Sequence, residues 1–139
     1  MGPKPKRTAI PPPNVSSQQK VRFSFEYYDS SEDKYCLSCW GQTYVKAALG
    51  RLKEINCLSF NELMRQSKVL HFGEVDWSRT IKPDGFTNTE VNKLTPFHFA
   101  LLGVNGQKAR VFGAYSEGVF YIVWFDFEHE IWPTPLKHT

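Results

Sequence analysis

The sequence predicts one α+β domain over residues 21–139, and three patterns carry that prediction. An alternating apolar–polar stretch over residues 21–28 has the period of two expected of a half-buried strand. A 3.6-residue apolar stripe runs through residues 43–56. Three runs rich in aromatic and β-branched residues follow, over 97–103, 108–115 and 119–125, punctuated by Asn105-Gly106 and Glu117-Gly118.

Taken in order, Val21, Phe23, Phe25 and Tyr27 alternate with polar partners and give the first strand. Val45, Ala48, Leu49, Leu52 and Ile55 form the stripe of the first helix. Ser59-Phe60-Asn61-Glu62 is a capping box that opens a short second helix to about Gln66, which makes a two-helix hairpin. Residues 69–77 read as a strand weakened by His71 and Gly73. Residues 78–96 read as a long loop with Pro83-Asp84-Gly85 as a turn signal. Asn105-Gly106 is expected to close a two-residue type I′ hairpin, and Glu117-Gly118 a second one. The fold class is thus an N-terminal strand, a two-helix hairpin and a four-stranded antiparallel meander.

At 139 residues with 41% hydrophobic and 15% aromatic content, the chain suits one packed core without staples. No apolar run approaches the length of a bilayer span. Three cysteines and no apolar signal segment point to a reducing compartment, the cytoplasm. The net charge is +3. Residues 1–20 contribute four cations (Lys4, Lys6, Arg7 and Lys20) and no acid, so the remaining 119 residues sum to −1. With Pro3, Pro5 and the Pro11-Pro12-Pro13 run, that stretch reads as a disordered, basic, Pro-rich leader. The near-neutral body restricts any nucleic-acid contact to a local basic patch.

The two predicted turns fix a register. Leu101 falls opposite Arg110 and Phe99 opposite Phe112; in the second hairpin Arg110 falls opposite Phe125 and Lys108 opposite Phe127. Directly opposed residues share a face. Lys108 and Arg110 then sit at one end of a face whose apolar part the helices cover, and His129 joins them if the last strand continues. Two cations and an imidazole suit phosphodiester chemistry. Arg clamps a phosphate and stabilises charge in the transition state, and His moves a proton near neutral pH. At a sheet margin, substitution of Arg110 or His129 is expected to cost little stability. Cys36-Leu37-Ser38-Cys39 is a lone CxxC. Structural zinc takes four ligands, and Cys57 and His71 lie at no recognised spacing from it, so neither metal nor cofactor is expected.

The strand–helix–helix–meander order resembles the RelE/YoeB superfamily of bacterial toxins, which cut mRNA on the ribosome. The segment from Ala109-Arg110-Val111-Phe112 through Glu117-Gly118 to Ile122-Val123-Trp124 is similar to that family's paired strands, in which an Arg starts one strand and an acidic turn leads to the next. The resemblance implies a metal-independent endoribonuclease toxin, with an antitoxin protein as partner and ribosome-bound mRNA as substrate. It places the phosphate clamp on Arg110, the acid/base on His129 and a further carboxylate on Glu74; the register adds Lys108 beside Arg110 on the phosphate, and Trp132 is an aromatic ring placed to stack on RNA. The alternative is a non-catalytic interaction or regulatory module on the same scaffold, favoured by the acids Asp126, Glu128 and Glu130 around His129 and by the near-neutral body.

Overall fold

A computed structural model describes residues 19–133. The Pro-rich leader expected over residues 1–20 lies outside the described residues but for its last two. The chain is mixed α+β: five strands in one mostly antiparallel sheet, with three helices among the described residues. β1 (Arg22–Ser24) precedes α1 (Gln42–Asn56), α2 (Phe60–Arg65) and α3 (Ser67–Leu70); β2 (Gly73–Glu74), β3 (Thr95–Ala100), β4 (Arg110–Ser116) and β5 (Val119–Asp126) follow. The sheet order is β1-β5-β4-β3-β2, with β1 parallel to β5 and the other pairs antiparallel. The N-terminal strand is therefore part of the same sheet as the meander, and the helices number three where a two-helix hairpin was expected. No described helix is long and apolar enough to cross a membrane.

Local chemistry explains the helices. The capping box forms as expected: the Glu62 amide donates to Ser59 Oγ at 3.2 Å and the Ser59 amide to Glu62 Oε1 at 2.8 Å. On α1, Ala48, Leu52 and Ile55 are buried, while Leu49 at the edge of the stripe is 53% exposed. The strand expected over 69–77 is instead the helix α3, ended by His71 in the left-handed conformation (φ 53°), and then the two residues of β2.

The sheet carries cores on both faces. The helices cover one, against Phe99, Val111, Phe120, Ile122 and Phe125. The other carries Phe112, Ala114, Val123 and Trp124, and is covered by the segment expected to be a loop. Phe86 and Val91 from that segment pack on it together with Trp77, expected to end the preceding strand, and Trp77 lies 4.8 Å from Phe86 and 6.2 Å from Trp124 between ring centroids. Burial of these rings, not regular structure, orders residues 78–94.

The register differs from the one read off the turns. Glu117 and Gly118 do close a two-residue turn at positive φ (50° and 86°), with Ser116 opposite Val119. Pairing holds to Gly113 and Ile122, where a bulge makes Val123 the extra residue and sets Phe112 opposite Trp124 and Arg110 opposite Asp126. Gly113 permits this: a Cβ there would run into the Tyr121 carbonyl oxygen and the Phe120 ring. The β3–β4 connection is longer than two residues, with Gly103, Asn105, Gly106 and Gln107 all at positive φ, so Ala100 and not Leu101 opposes Arg110. His98 then opposes Phe112 and shares the face of Arg110.

Candidate active site

At the end of the sheet where β4 starts and β5 stops lies a cleft of about 310 Å³, lined by His71, Arg79, His98, Arg110, His129, Trp132 and Pro133. The lining is drawn from five parts of the chain: His71 from the cap of α3, Arg79 from a 3₁₀ turn in the covering segment, His98 from β3 and Arg110 from β4. His129 and Trp132 come from the segment after β5.

Arg110 is 6% exposed, overturning the expectation of a solvated sheet margin. Its Nη1 donates to the carbonyls of Gln107, Lys108 and Ala109 at 2.6, 3.1 and 3.3 Å, which fixes the guanidinium against the turn that precedes β4. Its Nε is buried without a hydrogen-bond partner, and so is Nδ1 of His98. The His98 ring stacks on Phe112 (centroids 5.4 Å apart, 19° between planes) and lies 5.0 Å from Trp132. A buried polar atom without a partner costs about 1–3 kcal/mol, and two such atoms stand beside this cleft.

β5 does not run on to His129. It stops at Asp126, whose buried carboxylate accepts from the Glu130 amide (Oδ1, 3.0 Å) and the Ile131 amide (Oδ2, 2.7 Å). That pair of bonds folds the chain back, puts His129 at φ 59° and turns its ring into the cleft. Asn105 Nδ2 donates to the Phe127 carbonyl at 2.9 Å, and the Ile81 amide to the Ile131 carbonyl at 2.9 Å, so both ends of the segment are tied down.

The electrostatics follow from two guanidinium groups and the lack of any carboxylate among the lining residues. Burial, then the charges of Arg110, His129 and His71, pushes His98 down to about 4. Burial and the charges of Arg110 and His71 push His129 down to about 4 against a backbone hydrogen bond with Trp132, and His71 is lowered by burial and Arg110. Burial lowers Arg110 too, with Asp126 opposing, and burial raises Asp126. The imidazoles in the cleft are thus held in the neutral form.

This has a consequence for stability. Groups whose pKa is depressed by folding bind fewer protons in the native state, so stability is lost as pH falls from about 6.5 toward 4. Between pH 7 and pH 5 the loss from His98 should be about 2 kcal/mol. Asp126, raised by burial, acts in the opposite sense, so the imidazole share is read by difference. Urea unfolding of His98→Phe, which keeps the stack on Phe112, should show a markedly flatter profile than the parent; equal slopes would show that His98 does not titrate in this window.

Of the residues singled out in the sequence, Arg110, His129 and Trp132 meet at this cleft. Lys108 does not: it lies exposed in the turn before β4, and only its carbonyl touches the site. Glu74 is exposed on β2, opposite Phe97, and does not line the cleft. Neither Glu128 nor Glu130 lines it, and Glu130 lies 4.0 Å from Lys34. His98, His71, Arg79 and the supporting Asp126 were not anticipated as parts of a site. The cysteines stand apart, with Cys36 buried, bonded to Ser38 Oγ at 2.8 Å and to the Tyr28 hydroxyl at 3.3 Å, and Cys39 and Cys57 exposed. Among the described residues, no three His, Cys, Asp or Glu side chains are grouped to hold a metal ion.

Protein-family models, curated proteins and solved structures give no match to this chain. The functional reading therefore rests on the cleft.

Proposed function

We propose that this protein is a RelE-like endoribonuclease whose cleft binds and cleaves a phosphodiester of mRNA on the ribosome, using side chains alone. The observation that carries this reading is the convergence of two guanidinium groups and three imidazoles in a cleft lined by no carboxylate, with Arg110 Nε and His98 Nδ1 unpartnered. Such a set recognises an anion and can move protons around it.

In the cleavage step Arg110 binds the non-bridging oxygens of the scissile phosphate, with Arg79 at the open side. His129, neutral in the free protein, takes the proton from the ribose 2′-hydroxyl. The 2′-oxygen forms its bond to phosphorus as the bond to the 5′-oxygen breaks, and the leaving oxygen receives a proton from His98, which first takes that proton up from solvent because the free protein holds it neutral. One proton is accepted and one given, and the products are a 2′,3′-cyclic phosphate and a free 5′-hydroxyl. Trp132 beside His98 offers a ring for a flanking base, a contact that contributes about 1–3 kcal/mol per base where it forms. Glu74 and Lys108 have no part in this scheme.

Expression of the chain without a partner should arrest growth, and the purified protein should cut mRNA bound to ribosomes. His129→Ala should lose about 100-fold or more in cleavage rate, as expected for a positioned acid–base group. If the wild-type chain neither arrests growth nor cuts RNA, a non-catalytic interaction module takes the place of this reading.

A further inference from the structure

We propose that the same cleft is selective for a phosphate monoester dianion, such as the 3′-phosphate end of a cleaved RNA strand, over a monoanionic diester, and that it takes up a proton as the dianion enters. This rests on the cleft assigned above but not on its catalysing RNA cleavage.

The argument starts from what faces the cleft. His71 reaches it from the cap of α3, Arg79 from the covering segment, His98 from β3, Arg110 from β4 and His129 from the segment after β5. The nearest acid is Asp126 at the end of β5, and both of its oxygens are already used by the amides of Glu130 and Ile131. A monoanionic diester would balance one of the two fixed guanidinium charges. A dianion balances both, and its extra oxygen charge meets two buried nitrogens without partners, Arg110 Nε, a donor, and His98 Nδ1, which donates when it carries hydrogen. Neutral His98 donates from one ring nitrogen, whereas the imidazolium donates from both and adds a positive charge beside the anion. Burial and the neighbouring cations suppress that state, and an entering dianion reverses the second of these causes. Proton uptake and dianion selectivity are therefore two sides of one electrostatic arrangement.

A dianion of this kind arises when water opens the cyclic ester: the water oxygen bonds to phosphorus, the bond to the 2′-oxygen breaks, one proton of the water passes to the 2′-oxygen, and the other is released to solvent to leave the dianion. The cleaved strand then ends in a 3′-monoester that the cleft holds more tightly than an uncut linkage, so the activity should be inhibited by its hydrolysed product.

The test uses titration calorimetry at pH 6 on the full chain. Sulfate serves as a dianion that does not itself titrate near that pH, and dimethyl phosphate as the monoanionic diester. Paired buffers of different ionisation enthalpy report proton exchange. Sulfate should bind about tenfold or more tightly than dimethyl phosphate, in line with one added charge-assisted contact. It should take up close to one proton, through the linkage between anion and imidazole. His98→Phe should keep the fold through its stack on Phe112 but lose most of the proton uptake. Arg110→Met should lose most of the sulfate affinity. A 3′-nucleoside monophosphate, but not sulfate, should weaken further in Trp132→Ala, which separates nucleotide recognition from simple phosphate binding. Equal binding of the two anions, sulfate binding without proton uptake, no sulfate binding, or undiminished sulfate binding in both His98→Phe and Arg110→Met overturns the proposal. Sulfate binding of the expected kind in a chain that cuts no RNA would remove the ribonuclease reading and leave this one standing.

Discussion

Replacing Arg110 with Ala should lower the rate of RNA cleavage by about 100-fold or more, the usual cost of losing one preorganised charge contact to the transition state. It should also destabilise the fold by about 2–3 kcal/mol, because the side chain is 6% exposed and its removal leaves a void and takes the side-chain donor from the Gln107 and Lys108 carbonyls. The two effects separate in a second variant. Arg110→Met fills most of the same space and removes the cost of burying a charge, so it should recover much of the stability and none of the cleavage. Lys53→Ala, an exposed change on α1, is the control and should leave stability within about 0.5 kcal/mol and cleavage unchanged. Cleavage by Arg110→Met at the parent rate would show that Arg110 is a structural cation and that the chemistry lies elsewhere.

The sequence alone places Arg110 at a solvated sheet margin, whereas it is 6% exposed. Signals that depend on a few adjacent residues were legible. Ser59 and Glu62 cap α2 as their spacing requires, and Glu117-Gly118 forms the tight turn that its composition demands. From that turn the register can be written correctly as far as Gly113, after which the bulge shifts it by one residue. A one-residue shift exchanges the two faces of a strand. Phe125 therefore stays under the helices while Arg110, Phe112 and Ala114 lie on the opposite face, not the helix-covered one expected, and Asp126 takes the place of Phe125 opposite Arg110. The glycine inside the strand was the available clue, since a strand interior loses packing and order at glycine unless something approaches closely.

The other hairpin misleads for a different reason. Asn105-Gly106 does sit at positive φ, but Asn105 spends its side chain on the Phe127 carbonyl and the connection widens to hold it. That widening puts His98 rather than Phe99 on the face of Arg110 and so hides the second imidazole from any reading of the turn alone. The covering segment is harder still. Trp77, Phe86 and Val91 are spaced at neither helical nor strand period, because they pack from turns whose geometry is set by the rings beneath them. Arg79 rides on that segment and inherits its illegibility. His71 reads in the sequence as a residue that weakens a strand and as a metal donor at no recognised spacing; it ends α3 in the left-handed conformation.

Asp126 is the residue whose replacement should separate positioning from chemistry. A sequence reader meets it as one of three acids near His129 that would repel RNA, yet it is 1% exposed and turned inward onto two backbone amides. Asp126→Ala would leave both amides unpaired in a buried place and remove the carboxylate that partly offsets the charge of Arg110. The expected cost is about 3–5 kcal/mol, the range seen when one member of a buried charged network is lost. Asp126→Asn is the sharper probe. Its single carbonyl oxygen can accept from one amide while its NH₂ faces the other, so the fold should survive with a loss of about 1–3 kcal/mol. The segment from Phe127 to Ile131 should loosen at one of its two ties. His129, held at φ 59° by that segment, then loses its fixed placement, whereas Arg110 and His98 stand on β4 and β3 and keep theirs. Cleavage by Asp126→Asn should therefore fall in kcat by about tenfold or more, with KM and sulfate affinity close to the parent values. A rise in KM with kcat unchanged would instead place Asp126 in the service of anion binding, and an unaltered kcat and KM would show that the turn holds His129 without it.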